Sequence, residues 1–283
     1  MILEKNYNLS DIRRSWVSLT NGGGLAGRKR PNGAMRGSVR RTLYLLSLAT
    51  FVLVWHLVAT GLRSPYLPQP VAVAQALITA LVEKDFLGFT ISQHTLASLQ
   101  RIVQGFALAI ALAVPLGLSV GWFKILAAVT TPVVEILRPI PPLAWIPFAI
   151  YFFGSPFDAI FLVVLAAFFP VFLNSYAGVQ AIQPVLLDAA QTLGARRLRL
   201  FVHVVVPAAF GSILTGVRIG LGIAWMSIVA AEMVGVKGGG LGVFVWSMAE
   251  VGRFDAVFAG MVLIGLLGML LTGVIGLVER RYA

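Results

Sequence analysis

The sequence predicts an all-α integral membrane protein with about six transmembrane helices. Of its 283 residues, 58% are hydrophobic and 12% are charged, whereas a soluble globular protein carries roughly 25% charged residues. The mean hydropathy is +0.89, and apolar runs long enough to cross the hydrocarbon core recur along the chain. Basic residues cluster before the first run and between the fourth and fifth runs, which is typical of cytoplasmic segments.

Composition and spacing also exclude several classes of function. The net charge of +11 does not indicate nucleic-acid binding, because the basic clusters are those expected to face anionic lipids. A chain without cysteine has no disulfide, thiolate metal site or cysteine nucleophile. The three histidines, His56, His94 and His203, match no metal-ligand spacing. We therefore predict no catalytic or metal site and do not expect an enzyme.

Residues 1–41 are predicted to form a basic cytoplasmic tail, in which a weak amphipathic helix at 11–19 lies on the membrane surface. The apolar run that follows, residues 42–60, is longer than the core of a secretory signal. We interpret it as a retained first transmembrane helix that runs outward, because arginines precede it.

Residues 61–89 are predicted to lie outside the membrane, and residues 90–283 to form the main transmembrane domain. Within the external segment, the apolar helix at 71–82 is too short to span a bilayer. The second span, about 102–122, returns to the cytoplasm.

The third apolar segment, residues 126–153, is too long for one straight helix at about 20 residues per span. Four prolines between Arg138 and Pro147 must break or kink it and free backbone carbonyls. Irregular backbone at membrane depth is tolerated only against protein or a water-filled cavity. We therefore predict that this segment lines a translocation path.

The remaining spans are predicted at about 158–176, 208–233 and 256–278, which places both termini in the cytoplasm. Two pairs of glycines spaced four apart, one in the second span and one in the fifth, allow a neighbouring helix to approach closely. The predicted helix-packing positions are Gly117, Gly121, Gly216 and Gly220.

The polar segment 184–207 lies between the fourth and fifth spans, and its pattern predicts a helix, a turn and a second helix outside the hydrocarbon. Gly194 interrupts the first helical pattern and predicts its end or a sharp bend, while Pro207 is predicted to open the next apolar segment. The first helix carries Asp188 in an early turn, which is favourable for the helix dipole. Ala189 and Ala190 give it a small-residue face that another protein can approach closely.

This segment resembles the EAA loop of ABC importer permeases. Asp188-Ala189-Ala190, Gly194 and Pro207 stand at the family spacing, with Asp in place of the usual Glu. The run RPIPPLAWIP, residues 138–147, closely resembles the nitrate, sulfonate, taurine and bicarbonate branch of these permeases. Ser98-Leu99-Gln100-Arg101 stands close to a recurrent pattern of the family. The resemblance implies a type I ABC importer transmembrane domain with a cytoplasmic coupling helix.

The resemblance also implies partners. The chain has no Walker motif, so ATP and Mg²⁺ would be bound by a separate ATPase and this subunit would hold no cofactor. The implied assembly has two ATPase subunits, a second permease copy (most simply a homodimer) and an external solute-binding protein, in a bacterial or archaeal cytoplasmic membrane. The residues implied to couple to the ATPase are Asp188, Ala189, Ala190, Gly194, Ala195 and Pro207.

Two arginines within apolar segments, Arg138 and Arg218, suggest a small anionic cargo of the nitrate, sulfonate or bicarbonate class, if both face the path. Alternatively, Arg138 pairs with Glu135, and Arg218 pairs with Glu232 or a carbonyl. The candidate path residues are Glu135, Arg138, Pro141, Pro142, Trp145, Asn174, Arg218 and Met226. The alternative function is a secondary transporter or channel for small anions that needs no ATPase.

Overall fold

The computed structural model describes residues 37–235 and 238–282, and within this part the chain is helical without any β-strand. It has a 3₁₀ turn at Pro142–Trp145 and a π-helical turn at Phe201–Val205. The helices are α1 (Gly37–Leu62), α2 (Pro70–Val82), α3 (Ile91–Trp122), α4 (Lys124–Leu137), α5 (Ile146–Phe152), α6 (Phe157–Gln180), α7 (Pro184–Thr192), α8 (Arg197–Val234), α9 (Leu241–Glu250) and α10 (Phe254–Tyr282).

Among the described residues, five helices are long and apolar enough to cross a membrane, namely α1, α3, α6, α8 and α10. The pair Lys124–Leu137 and Pro142–Phe152 is bent by 86°, and counting it as one broken span gives six by length and composition. The predictions of about six spans and of a break in the third are therefore confirmed. Of the predicted tail at 1–41, residues 1–36, with the surface helix at 11–19, lie outside the described residues.

The chain divides into two units, Met1–Val54 and Trp55–Ala283. In the second unit, α6 lies between α3 and α8, and most of its buried positions are small or β-branched. Ala159, Val163, Ala167 and Val171 have no exposed surface. Small side chains let helix backbones approach closely in a membrane, where lipid is as apolar as the protein core.

The four predicted packing glycines all face α6. A Cβ added at Gly117 would lie 2.6 Å from the Phe172 carbonyl oxygen, and one at Gly216 would lie 2.6 Å from Asn174 Cβ. A Cβ added at Gly121 would lie 2.7 Å from Val179 Cβ, and one added at Gly220 would lie 3.0 Å from Val171 Cγ2. No side chain fits at these positions without displacing the neighbouring helix.

The predicted start of the second span does not mark the start of its helix. The helix of the second span begins at Ile91, well before residue 102, because Thr90 and Gln93 form a capping box there. Pro207 lies in the first turn of the regular α-helical part of α8, Val206–Val234, as expected for a proline that opens an apolar segment. The π-helical turn just before Pro207 widens the backbone where the proline ring would otherwise meet a carbonyl of the preceding turn.

The predicted end of the first loop helix is confirmed. α7 stops at Thr192, and Gly194 adopts a φ of +83°, a conformation that favours glycine. The N–H groups of Gly194 and Ala195 then donate to the carbonyls of Gln191 and Ala190, at 2.8 and 3.0 Å.

Candidate functional site

The ends of three helices meet the 184–207 segment at one end of the bundle. The Gln180 side-chain amide of α6 donates to the Gly121 carbonyl of α3 at 2.9 Å. Trp122, the last residue of α3, packs against Phe201 of α8 with ring centroids 6.0 Å apart. We call this the loop end. The opposite end, where α3 begins and α8 finishes, is the glycine-turn end.

At the loop end, α7 and the turn that follows it present an exposed surface. Asp188, Ala189 and Gly194 are exposed, while Ala190 and Ala195 are half-buried. The apolar side chains beside them are also exposed: Leu193 retains 89% of its accessible surface and Leu198 75%. A nine-residue helix that leaves apolar side chains uncovered has the features of a docking element. The helix begins at Pro184, and Asp188 lies in its second turn.

The proline-rich break brings five of the predicted path residues together. Glu135 and Arg138 lie at the end of α4, and Pro141, Pro142 and Trp145 form the bend into α5. Glu135, Arg138 and Pro141 are exposed, whereas Trp145 is half-buried. The Trp145 ring packs against Phe148 and Phe161, with centroids 5.9 and 6.5 Å away.

The structure does not form either of the predicted arginine pairs. Within the described residues, no ion pair joins Arg138 to Glu135. Arg218 does not pair with Glu232. Its Nη1 donates to Glu279 Oε2 at 3.0 Å, because α8 and α10 run side by side and Glu279 lies at the loop end of α10. The charge of Arg218 is therefore offset by Glu279, on a face of α8 where the Arg218 side chain is exposed.

Two further path candidates lie apart from the break. The Asn174 side-chain amide donates to the Pro170 carbonyl of its own helix at 2.8 Å, and its Cβ faces Gly216. Asn174 thus has a role in packing α6 against α8. Met226 lies on the outer face of α8 and retains 73% of its accessible surface.

A buried polar network lies at the glycine-turn end. His94, Ser98 and Arg101 occupy one face of α3, four and three residues apart. Glu232, near the end of α8, has a fully buried side chain and receives a hydrogen bond of 2.8 Å from Arg101 Nη1. The Ser98 hydroxyl donates to the same carboxylate, 2.8 Å from Oε2.

The network holds the turn 238–242 against α3. Arg101 donates to the Gly239 carbonyl at 2.6 Å, and the Gly242 N–H donates to Glu232 at 3.0 Å. The Leu241 N–H donates to the Ser98 hydroxyl at 2.9 Å. Gly240, at φ +142°, lies directly against the Glu232 carboxylate, in a conformation and a space that exclude a side chain.

The tautomer of His94 follows from its two partners. The Gly240 N–H lies 2.9 Å from His94 Nδ1, so Nδ1 accepts and the ring proton is on Nε2. Nε2 then donates to Asp85 Oδ2 at 2.9 Å. Both side chains are buried, so the histidine joins the segment before α3 to the glycine turn.

Sequence reasoning missed this network as a unit. The signal was present: His94, Ser98 and Arg101 form a polar stripe of helical spacing at the start of an apolar helix. A buried carboxylate at Glu232 and a run of glycines after it were the other two parts. In the described residues no cluster of three or more His, Asp or Glu side chains is suited to hold a metal ion.

Comparison with known proteins identifies the family. Residues 110–283 match the family described as binding-protein-dependent transport system inner membrane component. The taurine transport system permease protein of Escherichia coli is 38% identical over 243 residues, which are 85% of this chain and 88% of the relative. A nitrate import permease protein of Leptolyngbya laminosa is 32% identical over 256 residues, covering 88% of this chain and 91% of the relative.

Among solved structures, an inward-facing form of the MetNI methionine ABC transporter shares the fold. Its matched chain superimposes with a TM-score of 0.61 at 19% identity, over 68% of this chain and 96% of that one. These likenesses favour the ABC importer over a secondary transporter or channel. The chain belongs to the binding-protein-dependent transport system inner membrane components, and it is the membrane-spanning permease subunit of an ABC importer, not an enzyme.

Proposed function

We propose that the loop end faces the cytoplasm and that α7 is the coupling helix, which docks on the ATPase of the importer. The observation that carries this proposal is the exposed surface of α7, with Ala189 and Gly194 uncovered and Leu193 almost fully exposed. The arginines Arg196 and Arg199 beside it also favour the cytoplasmic side.

In this proposal two copies of the chain form the path, and each docks one ATPase that binds ATP and Mg²⁺. Closure of the ATPase dimer draws the two α7 helices together, and the spans rock so that the path opens outward. An external binding protein delivers the solute at the glycine-turn end. A groove of about 430 Å³ lies there, lined in part by Glu83, Lys84 and Arg253, a mixed-charge surface suited to a protein partner.

The proposed solute is a small anion of the taurine, nitrate or bicarbonate class. The names of the taurine and nitrate relatives support this class. Arg138 also supports it, because this exposed guanidinium lies at the proline-rich break and forms no salt bridge within the described residues. A cation at a broken span attracts anions when it lines a water-filled path.

The test is transport by the complete complex in proteoliposomes. The permease, its ATPase and its binding protein are reconstituted, and uptake of labelled taurine, nitrate and bicarbonate is measured with ATP and with a non-hydrolysable analogue. We expect ATP-dependent uptake of one anion, the same one that stabilises the binding protein against heat. Uptake that does not depend on ATP hydrolysis, or transport of a cation instead of an anion, would contradict the proposal.

A further inference from the structure

A second candidate site lies at the loop end, where α3 meets α4 and α8 begins. It is a pocket of about 610 Å³ lined by Trp122, Phe123, Lys124, Ile125, Leu126 and Arg197. Two of these side chains are cationic and none is acidic. The pocket is thus basic at one side and apolar or aromatic elsewhere.

Both cations are available to a ligand. Lys124 and Arg197 are exposed, and neither forms a salt bridge within the described part of the chain. The Arg197 guanidinium lies over the Phe123 ring, 5.3 Å from its centroid. This contact orients the guanidinium and leaves its N–H groups free in the plane to bind an oxyanion.

The apolar side of the pocket has the character of a lipid contact. Ile125 retains 80% of its accessible surface and Leu126 retains 43%, although both belong to a membrane-spanning segment. Trp122 is the last residue of α3 and Phe123 follows it, and aromatic side chains at the end of a membrane-spanning helix are typical of the bilayer interface. A phospholipid has an anionic phosphate and apolar acyl chains. The two cationic side chains of the pocket match the phosphate, and its apolar side chains match the acyl chains.

We propose that this pocket binds an anionic phospholipid, with its phosphate between Lys124 and Arg197 and its acyl chains along Ile125 and Leu126. The proposal rests on the proposed function, which places the loop end at the cytoplasmic leaflet, where anionic lipids attract basic residues. Because Arg197 begins α8 directly after the α7 turn, the bound lipid would anchor the coupling segment to the membrane.

The test compares lipid retention by the full-length permease in native mass spectrometry. The probes are phosphatidylglycerol and phosphatidylcholine with identical acyl chains. The Lys124→Gln/Arg197→Gln variant removes both pocket cations, and Arg196→Gln/Arg199→Gln removes two exposed arginines of the same loop that do not line the pocket. A Lys124→Arg/Arg197→Lys variant keeps the charges and checks that the pocket variant has not lost binding through misfolding.

We expect wild type to retain phosphatidylglycerol over phosphatidylcholine, and the pocket variant to lose this preference by about fivefold for each cation removed. The loop control and the charge-keeping variant should retain it. Equal retention of the two lipids by wild type, or equal losses in the pocket and loop variants, would overturn the proposal. Release of the lipid by millimolar inorganic phosphate would assign the site to a free anion and also overturn it.

ATPase capture and self-association are measured on the same variants. If the pocket variant retains lipid normally but loses either interaction, the pocket belongs to a protein partner and the lipid assignment is wrong. If the wild-type chain captures no ATPase, the proposed function fails. Lipid retention then still tests separately whether the pocket binds an anionic phospholipid.

Discussion

Arg101 donates a hydrogen bond of 2.8 Å to Glu232, a residue 131 positions away in the chain. The pair joins α3 to the end of α8, and its Glu232 side chain has no exposed surface. Both carboxylate oxygens have donors, from Arg101 and Ser98 and from the Gly242 N–H. A carboxylate so fully bonded is suited to holding the glycine turn, and this argues against a role for Glu232 in ion coupling.

Removing one partner of this pair should cost much more stability than removing both. Glu232→Gln removes the carboxylate that offsets the buried Arg101 charge, and we expect the free energy of unfolding to fall by about 3–5 kcal/mol. Arg101→Met/Glu232→Leu should recover part of that loss. Arg253→Gln is the control, since the Arg253–Asp255 pair is largely exposed and should contribute less than about 1 kcal/mol. Melting curves in detergent test this, and equal effects of the control and Glu232→Gln would refute it.

His94 should hold the glycine turn closed to solvent. His94→Leu removes the hydrogen bonds that His94 forms with the Gly240 N–H and with Asp85 Oδ2, so we expect the free energy of unfolding to fall by about 1–3 kcal/mol. Hydrogen–deuterium exchange at 238–242 should become faster. The matched control is His203→Leu, which changes an exposed histidine at the loop end. Unchanged exchange in His94→Leu would show that the turn is held by other contacts.

The glycine contacts with α6 should tolerate no added methyl group. Gly117→Ala places a Cβ against the Phe172 carbonyl, and we expect a destabilisation of about 1–3 kcal/mol. Gly273, also within a helix, has nothing within 4 Å of an added Cβ. Gly273→Ala should therefore be neutral or stabilise by about 0.5–1 kcal/mol through helix propensity. Melting temperatures that fall equally in the two variants would contradict the packing role.

The fold was largely predictable because lipid imposes simple rules on sequence. Apolar length gave the spans, four clustered prolines gave the break between α4 and α5, and Gly194 gave the end of α7. The start of α3 was missed because its first turns carry polar residues. Two of these side chains, His94 and Ser98, bond to residues more than a hundred positions away, and no local pattern reveals those partners.

Only those parts of the candidate site that depend on a local sequence pattern could be predicted. The α7 surface follows from the spacing of Ala189, Ala190 and Gly194. By contrast, Arg218 is in an apolar run in the sequence, yet Glu279 on another helix pairs with it. Pairing between distant helices depends on the tilt and register of packed spans, which sequence periodicity does not fix.

Arg138 should matter more for transport than Arg218. Arg138→Gln removes an exposed charge at the break, and we expect anion uptake to fall about tenfold or more, equivalent to roughly 1.4 kcal/mol. Arg218→Gln should have a smaller effect, because Glu279 already offsets that charge. ATPase capture should persist in both variants. Normal uptake by Arg138→Gln would remove this residue from the path.

The most direct test of the central claim, that α7 docks on the ATPase, uses the absence of cysteine from the chain. Ala189→Cys and Trp246→Cys each provide one site for a cysteine-tethered photocrosslinker, at exposed positions on opposite ends of the bundle. In the assembled complex, the account predicts that Ala189→Cys crosslinks to the ATPase and Trp246→Cys does not. A crosslink to the ATPase from Trp246→Cys, with none from Ala189→Cys, would contradict it.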